Sequence, residues 1–334
     1  MLVKYRAPLG ADYEYHLEYA RLYARGEPAL FNQALLEVNQ GPYQPLFHLL
    51  LAAFEALGMR LAGAVLLQAA ILPLIFLLVA YLAHSKAGLP AAAFSLAILA
   101  GANALVDRAQ LIPQSLDLIL FLVAALAFIE NREKLLAAAL ALAVWNHGAY
   151  SLLFLGGMAC LATLEKRNLR AITWAAAASI PIVLLIAPYL PAQISYASGL
   201  NDQQEALIVE RPAQYLNYAG VVALIAFPFS LAWGLYSQRA GDMERPASSL
   251  FSVSLFWIIS MLPVLYFFSD RFASYCAIPL SIMGGMMFSR AARLYPRLGA
   301  ALLAFILASS AWLCLLPWIT VAWGNSLYVS AVRP

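Results

Sequence analysis

Residues 61–85 read LAGAVLLQAAILPLIFLLVAYLAHS, 25 positions without one Asp, Glu, Lys or Arg. A helix of that length rises roughly 37 Å, more than the ~30 Å hydrocarbon core of a bilayer. Inside lipid a spanning segment must satisfy its own backbone hydrogen bonds, so a helix is the form it takes. This stretch decides the class: an all-α, polytopic integral membrane protein.

Outward from it the same texture repeats. Apolar segments suited to crossing a membrane fall at about 61–85, 89–105, 113–129, 135–146, 149–164, 171–191, 216–236, 250–268, 273–289 and 298–320, giving about 10 transmembrane helices. The fourth and fifth are short and meet at Trp145-Asn146-His147-Gly148, which predicts a tight helical pair. Residues 45–57 are apolar but too short to span and are expected at the interface or dipping in beneath the preceding loop. The chain divides into a juxtamembrane and extracytoplasmic region over 1–60, with a helical loop, and a bundle over 61–334. Met1 to Ala11 has no apolar core, so no cleavable signal peptide is expected.

Composition agrees. The chain is 63% hydrophobic and 11% charged, with a mean hydropathy of +0.78, where soluble domains carry about 25% charged residues. A net charge of +3 over 334 residues does not suit a nucleic-acid partner. Cys160, Cys276 and Cys314 are scattered in apolar segments and give no disulfide or zinc spacing. There is no internal repeat, P-loop or GxGxxG turn. Gly156-Gly157 and Gly284-Gly285 suit close helix packing.

The Lys/Arg bias of the connections sets orientation. If the N-terminal polar stretch is extracytoplasmic, the inner connections hold 11 of the 20 basic residues with five acids. The reverse orientation would place the clusters at 165–170 and 290–297 outside. On the outer side three Arg each follow an acid at a membrane boundary: Asp107-Arg108, Glu210-Arg211 and Asp270-Arg271. Each pair alone reads as charge compensation at a helix end. All three on the side of the longest polar run point to a shared site, because ionisable groups beside apolar surroundings are costly unless used.

That polar run is 10–51, GADYEYHLEYARLYARGEPALFNQALLEVNQGPYQPLFHLLL. Asp12, Tyr15 and His16 fall at i, i+3 and i+4 and share a helix face. The alternative is a capped surface helix with Asp12 as N-cap and Gly26 as its stop. Farther on, Pro113 suits a helix first turn, and Gln114 and Asp117 then share a face one turn into the membrane. Asp117 either bonds to a neighbouring helix or lines a cavity. His147, at a helix turn, reads first as structural. The outer stretch 192–215, with Tyr196, Asp202, Glu205 and Glu210, suits either a loop covering a polar substrate or a solvated connector.

Four pieces carry a resemblance: GADYEYH followed by LEYA at 10–20, YQPLFHLLL at 43–51, DRAQLIPQSLDLILF at 107–121 and DRFASYCAIPL at 270–280. In this order, across about residues 9 to 290, the chain resembles the GT-C membrane glycosyltransferases. Within them it looks most like the archaeal and bacterial proteins related to the oligosaccharyltransferase catalytic subunit. The resemblance implies a multi-pass cell-membrane enzyme working on its extracytoplasmic face with a polyprenyl-phosphate-linked sugar donor, in contact with membrane lipid. It implies Asp12 as base or as ligand of a divalent metal, magnesium or manganese, and His16 as its catalytic partner. Tyr15, His48, Asp107, Arg108, Gln114, Glu205 and Arg271 are the expected substrate contacts, with Arg271 and then Arg108 on the phosphate and Tyr43 and Tyr196 as further sugar contacts. Many relatives have Pro-Glu where this chain has Pro113-Gln114, which removes a carboxylate from the expected metal site. Relatives also carry a membrane helix ahead of the acidic loop, whereas only ten residues precede Ala11, so a truncated start is expected. A secondary transporter and a non-catalytic assembly subunit are the competing readings. A transporter calls for broken helices at mid-bilayer and an internal pseudo-repeat. An assembly subunit calls for outer charges that do not converge.

Overall fold

The computed structural model describes residues 13–27, 44–102, 113–189, 191, 221–267 and 269–311. Every regular element among them is helical. We number them α1 (Tyr13–Ala24), α2 (Pro45–Ala56), α3 (Arg60–Ala87), α4 (Leu89–Ala100), α5 (Pro113–Ile129), α6 (Glu133–Asn146), α7 (Gly148–Glu165), α8 (Leu169–Ile186), α9 (Val221–Ala240), α10 (Arg245–Phe267), α11 (Ser269–Leu294) and α12 (Pro296–Ala311). Each of the ten expected apolar segments carries one of α3 to α12.

Among the described residues four helical stretches are long and apolar enough to cross a membrane: 60–87, 148–165, 169–189 and 245–264. Within the described residues Pro45–Ala56, Leu89–Ala100, Pro113–Ile129 and Pro296–Ala311 are apolar helices of shorter length. The segment expected at 89–105 is helical for 12 residues, about 18 Å of rise. It ends at Gly101, where a Cβ would stand 2.7 Å from the Ser310 hydroxyl of α12. The Ser310 hydroxyl donates to the Ala97 carbonyl at 2.7 Å, so α12 closes over the end of α4.

The core is a stack of antiparallel neighbours: α5 on α6, α3 on α4, α4 on α11, α10 on α11, and α7 on α10. At its centre the Phe121 and Phe154 rings stack at 4.0 Å, and the Trp257 ring meets both edge-on at 5.5 and 5.2 Å. Close approach depends on glycine at particular places. A Cβ on Gly285 would lie 2.1 Å from the Ser95 hydroxyl and 2.7 Å from the Ala91 carbonyl of α4. Gly157 likewise lets α7 approach Phe256 and Ser260 of α10, whereas Gly156 has nothing within 4 Å. Of that pair, Gly157 is the packing residue.

The connections expected to be basic and cytoplasmic lie together at one end. Lys86 closes α3 and pairs with Glu130 after α5 at 2.9 Å; Glu130 also takes Arg132 at 2.8 Å. Arg167, between α7 and α8, donates to the Ser249 hydroxyl at the start of α10 and lies over the Phe128 ring at 4.5 Å. Arg293 of α11 donates to the Ala87 carbonyl at 2.9 Å. The start of α2, the start of α5, the α6–α7 corner and the first turns of α11 make up the opposite end.

Candidate functional site

The expected stop of α1 at Gly26 is borne out. Gly26 has φ +74°, its N–H bonds the Tyr23 carbonyl, and the Glu27 N–H reaches back to Leu22, the double bond of a left-handed helix end. A simple surface helix it is not. His16, Leu17, Tyr19 and Ala20 are buried, and α1 packs on α2, which in turn packs on α3 and α6.

Proline at its first position starts α2, and its opening turn aims His48 at α1. The His16 Nδ1 and His48 Nε2 atoms lie 3.0 Å apart, and His48 Nδ1 lies 3.1 Å from the Gln44 carbonyl. A carbonyl only accepts, so His48 carries its proton on Nδ1 and accepts on Nε2. His16 must then donate from Nδ1, which leaves the lone pair on His16 Nε2. Burial pushes His16 well below its ordinary pKa, and His48 and His147 lower it further. Burial also takes His48 down to about 4, against the raising influence of its bond to Gln44. Both rings are neutral at pH 7. Tyr15 donates its hydroxyl to Tyr19 at 3.3 Å, and the Tyr19 ring lies 4.7 Å from that of His48.

The Gln44 side chain rests against Gly148, where a Cβ would sit 3.3 Å from Gln44 Nε2. This carries the cluster from α2 to the corner between α6 and α7, the tight turn the sequence predicts. His147, with φ −153° and ψ 90°, ends α6 and precedes α7. Its Nε2 lies 3.3 Å from Gln114 Nε2 at the start of α5, and its Nδ1 lies 3.8 Å from Asp117. The Tyr150 ring stacks on His147 at 4.8 Å, and the Tyr275 ring lies 4.8 Å beyond Tyr150.

Asp117 is fully buried. It accepts from Asn146 Nδ2 at 2.6 Å and from the Tyr275 hydroxyl at 3.0 Å. Asn146 Nδ2 also reaches the Pro113 carbonyl at 2.7 Å. Two buried acceptors in the cluster, Gln114 Oε1 and Asn146 Oδ1, have no hydrogen-bond partner among the described residues. Buried polar groups are nearly always paired, so these two oxygens call for donors from outside the described set.

Of the candidates read from sequence, Tyr15, His16, His48 and Gln114 come together here. Asp12, Tyr43, Asp107, Arg108, Tyr196 and Glu205 lie outside the described residues. Arg271 belongs to the first turn of α11, but its side chain and that of Asp270 also lie outside them. Asp117, Asn146, His147 and Tyr275 join the cluster although none of them is among those expected contacts. An acid inside a span was the available signal.

For a divalent ion the fit is poor among the described residues. They hold no group of three or more His, Cys, Asp or Glu placed to bind a metal. Imidazoles bonded to each other and amides are not the carboxylate oxygens that magnesium or manganese prefer. Asp12, the expected ligand, is outside the described set, and no step below runs through a metal.

The model of the EpsG family matches residues 1–325 of the chain. No curated protein and no solved structure gives a match.

Proposed function

The chain belongs to the EpsG family, a membrane family of glycosyltransferase- and polymerase-like character, and on that premise we propose that it moves a sugar from a polyprenyl-phosphate donor to an acceptor at the extracytoplasmic ends of its helices. The carrying observation is the convergence of buried polar side chains from α1, α2, α5, the α6–α7 corner and α11 at the end opposite the basic connections. Positive-inside bias supports a cytoplasmic basic end, and in this reading the cluster faces outward. Gln114 Oε1 and Asn146 Oδ1, without partners among the described residues, suit a ligand rich in hydroxyl donors.

In this reading the bond between the sugar anomeric carbon and the phosphate oxygen breaks. The acceptor oxygen bonds to that carbon, its proton passes to a base, and the lipid phosphate leaves. Phosphate is already a good leaving group, so the demands are a base near the acceptor and a cation near the departing phosphate. We assign Asp12 as the base, with His16 as proton partner through Nε2, and Arg271 and Arg108 to the phosphate. A guanidinium can hold two phosphate oxygens at once. Tyr15, His48, Gln114, Asp107 and Glu205 are assigned to the substrate. The GT-C resemblance supports the donor class.

The test supplies radiolabelled polyprenyl-phosphate sugars to membranes containing the chain. Asp12→Asn is expected to abolish transfer while the protein stays folded and inserted. Full activity in that variant would sink the assignment.

A further inference from the structure

At the basic end, α3, α9 and α11 enclose a cavity of about 390 Å³, within the ~300–1,000 Å³ range of small-ligand sites. We propose that it holds the headgroup of an aminophospholipid from the inner leaflet. Phosphate would lie against Arg290 and Arg293, and amine against Asp242 and Glu244.

Charge pairing separates this cavity from ordinary basic connections. A neighbouring cavity is lined by Lys86, Glu130, Arg167 and Arg245, and of these only the exposed Arg245 is in no ion pair among the described residues: Lys86 pairs with Glu130 and Arg167 with Glu165. In the larger cavity the charges stay apart. Among the described residues, no ion pair joins Arg290 or Arg293 to Asp242 or Glu244, although all four line the same space. Arg290 and Arg293 sit one turn apart on α11, the second anchored by its bond to the Ala87 carbonyl. Asp242 and Glu244 come from the turn between α9 and α10, which Gly241 opens with φ +73°.

The balance of charge names the ligand. With Lys86 committed to Glu130, two Arg face two acids. A site for a simple anion would carry excess positive charge. A site with separated and equal charges suits a ligand bearing both, the amine close enough to the phosphate to span one cavity. The place names the source. The cavity lies among helix ends on the basic side, and the half-buried Trp233 lines it beside the charges. Trp sits by preference at a membrane–water boundary, and its ring offers an apolar contact of the kind an acyl chain meets.

The test is native mass spectrometry of the full chain in detergent, titrated with phosphatidylethanolamine, phosphatidylcholine and phosphatidylglycerol. Wild type should bind phosphatidylethanolamine at least about tenfold tighter (roughly 1.4 kcal/mol) than either other lipid. Arg290→Gln should lose that binding. Glu244→Gln should lose the preference for the amine while keeping phosphatidylglycerol. Both side chains are exposed, so folding is not at stake. Equal affinities for the three lipids, or an unchanged preference in Glu244→Gln, would overturn the proposal. Soluble phosphoethanolamine binding as tightly as the lipid would overturn the membrane source. Sugar transfer by Asp12→Asn has no bearing on any of these outcomes.

Discussion

The histidine pair joining α1 to α2 makes a prediction with a definite sign. An exposed histidine titrates near 6.5, and His48 in the folded chain near 4. Between those values the unfolded segment binds a proton that the folded one does not. Stability contributed by the pair is therefore complete above about pH 6.5 and is lost as pH falls toward 4. At about 1.4 kcal/mol per unit, the His48 shift alone costs about 3 kcal/mol across that window, and His16 adds to it in the same direction. The perturbation is a pH titration, and the readout is amide hydrogen exchange of α1 in nanodiscs, corrected for the intrinsic pH dependence. Opening of residues 13–24 should rise more than about a hundredfold between pH 7 and pH 4. In His16→Phe/His48→Phe, where neither ring can take a proton, the rise should nearly vanish. A flat profile in the wild type would refute the reasoning, as would an undiminished rise in the double variant.

Gly285→Ala places a Cβ 2.7 Å from the Ala91 carbonyl and should cost about 1–3 kcal/mol by forcing α4 from α11, read as a lower unfolding temperature in detergent. Gly156→Ala, with open space around it, should be neutral or slightly stabilising because alanine is the better helix former. Asp117→Leu removes the acceptor that Asn146 and Tyr275 share and should cost about 2–4 kcal/mol, with Asp117→Asn milder by the same thermal assay. Glu130→Gln takes away the partner of both Lys86 and Arg132. A loss of about 1 kcal/mol is expected, and it should shrink in high salt.

The bundle was legible because lipid imposes a simple rule, and residues 61–85 state it without interruption. The corner at Trp145-Asn146-His147-Gly148 was legible because polar residues and a glycine break an apolar run. Helix lengths were less so: α4 ends at Gly101, where Ser310 of α12 packs against it, a tertiary contact that leaves no mark on local hydropathy. The site was legible in kind but not in partnership. Helical spacing joined His16 to Asp12 and Tyr15, while its partner in the fold is His48, brought up by the packing of α2. Asp117 stood out as an acid in a span, yet its donor Tyr275 is 158 residues away. The acids facing Arg290 and Arg293 looked like plain connector charges until the fold set them around one cavity.

The central claim is that the polar cluster of α1, α2, α5, the α6–α7 corner and α11 is where the sugar donor binds. A photoactivatable polyprenyl-phosphate sugar, cross-linked in membranes and mapped by peptide mass spectrometry, tests it most directly. Labels should fall on peptides containing His48, Gln114 and His147 and be competed away by unmodified donor. Labels confined to the opposite end, around Lys86 and Arg293, would contradict the account.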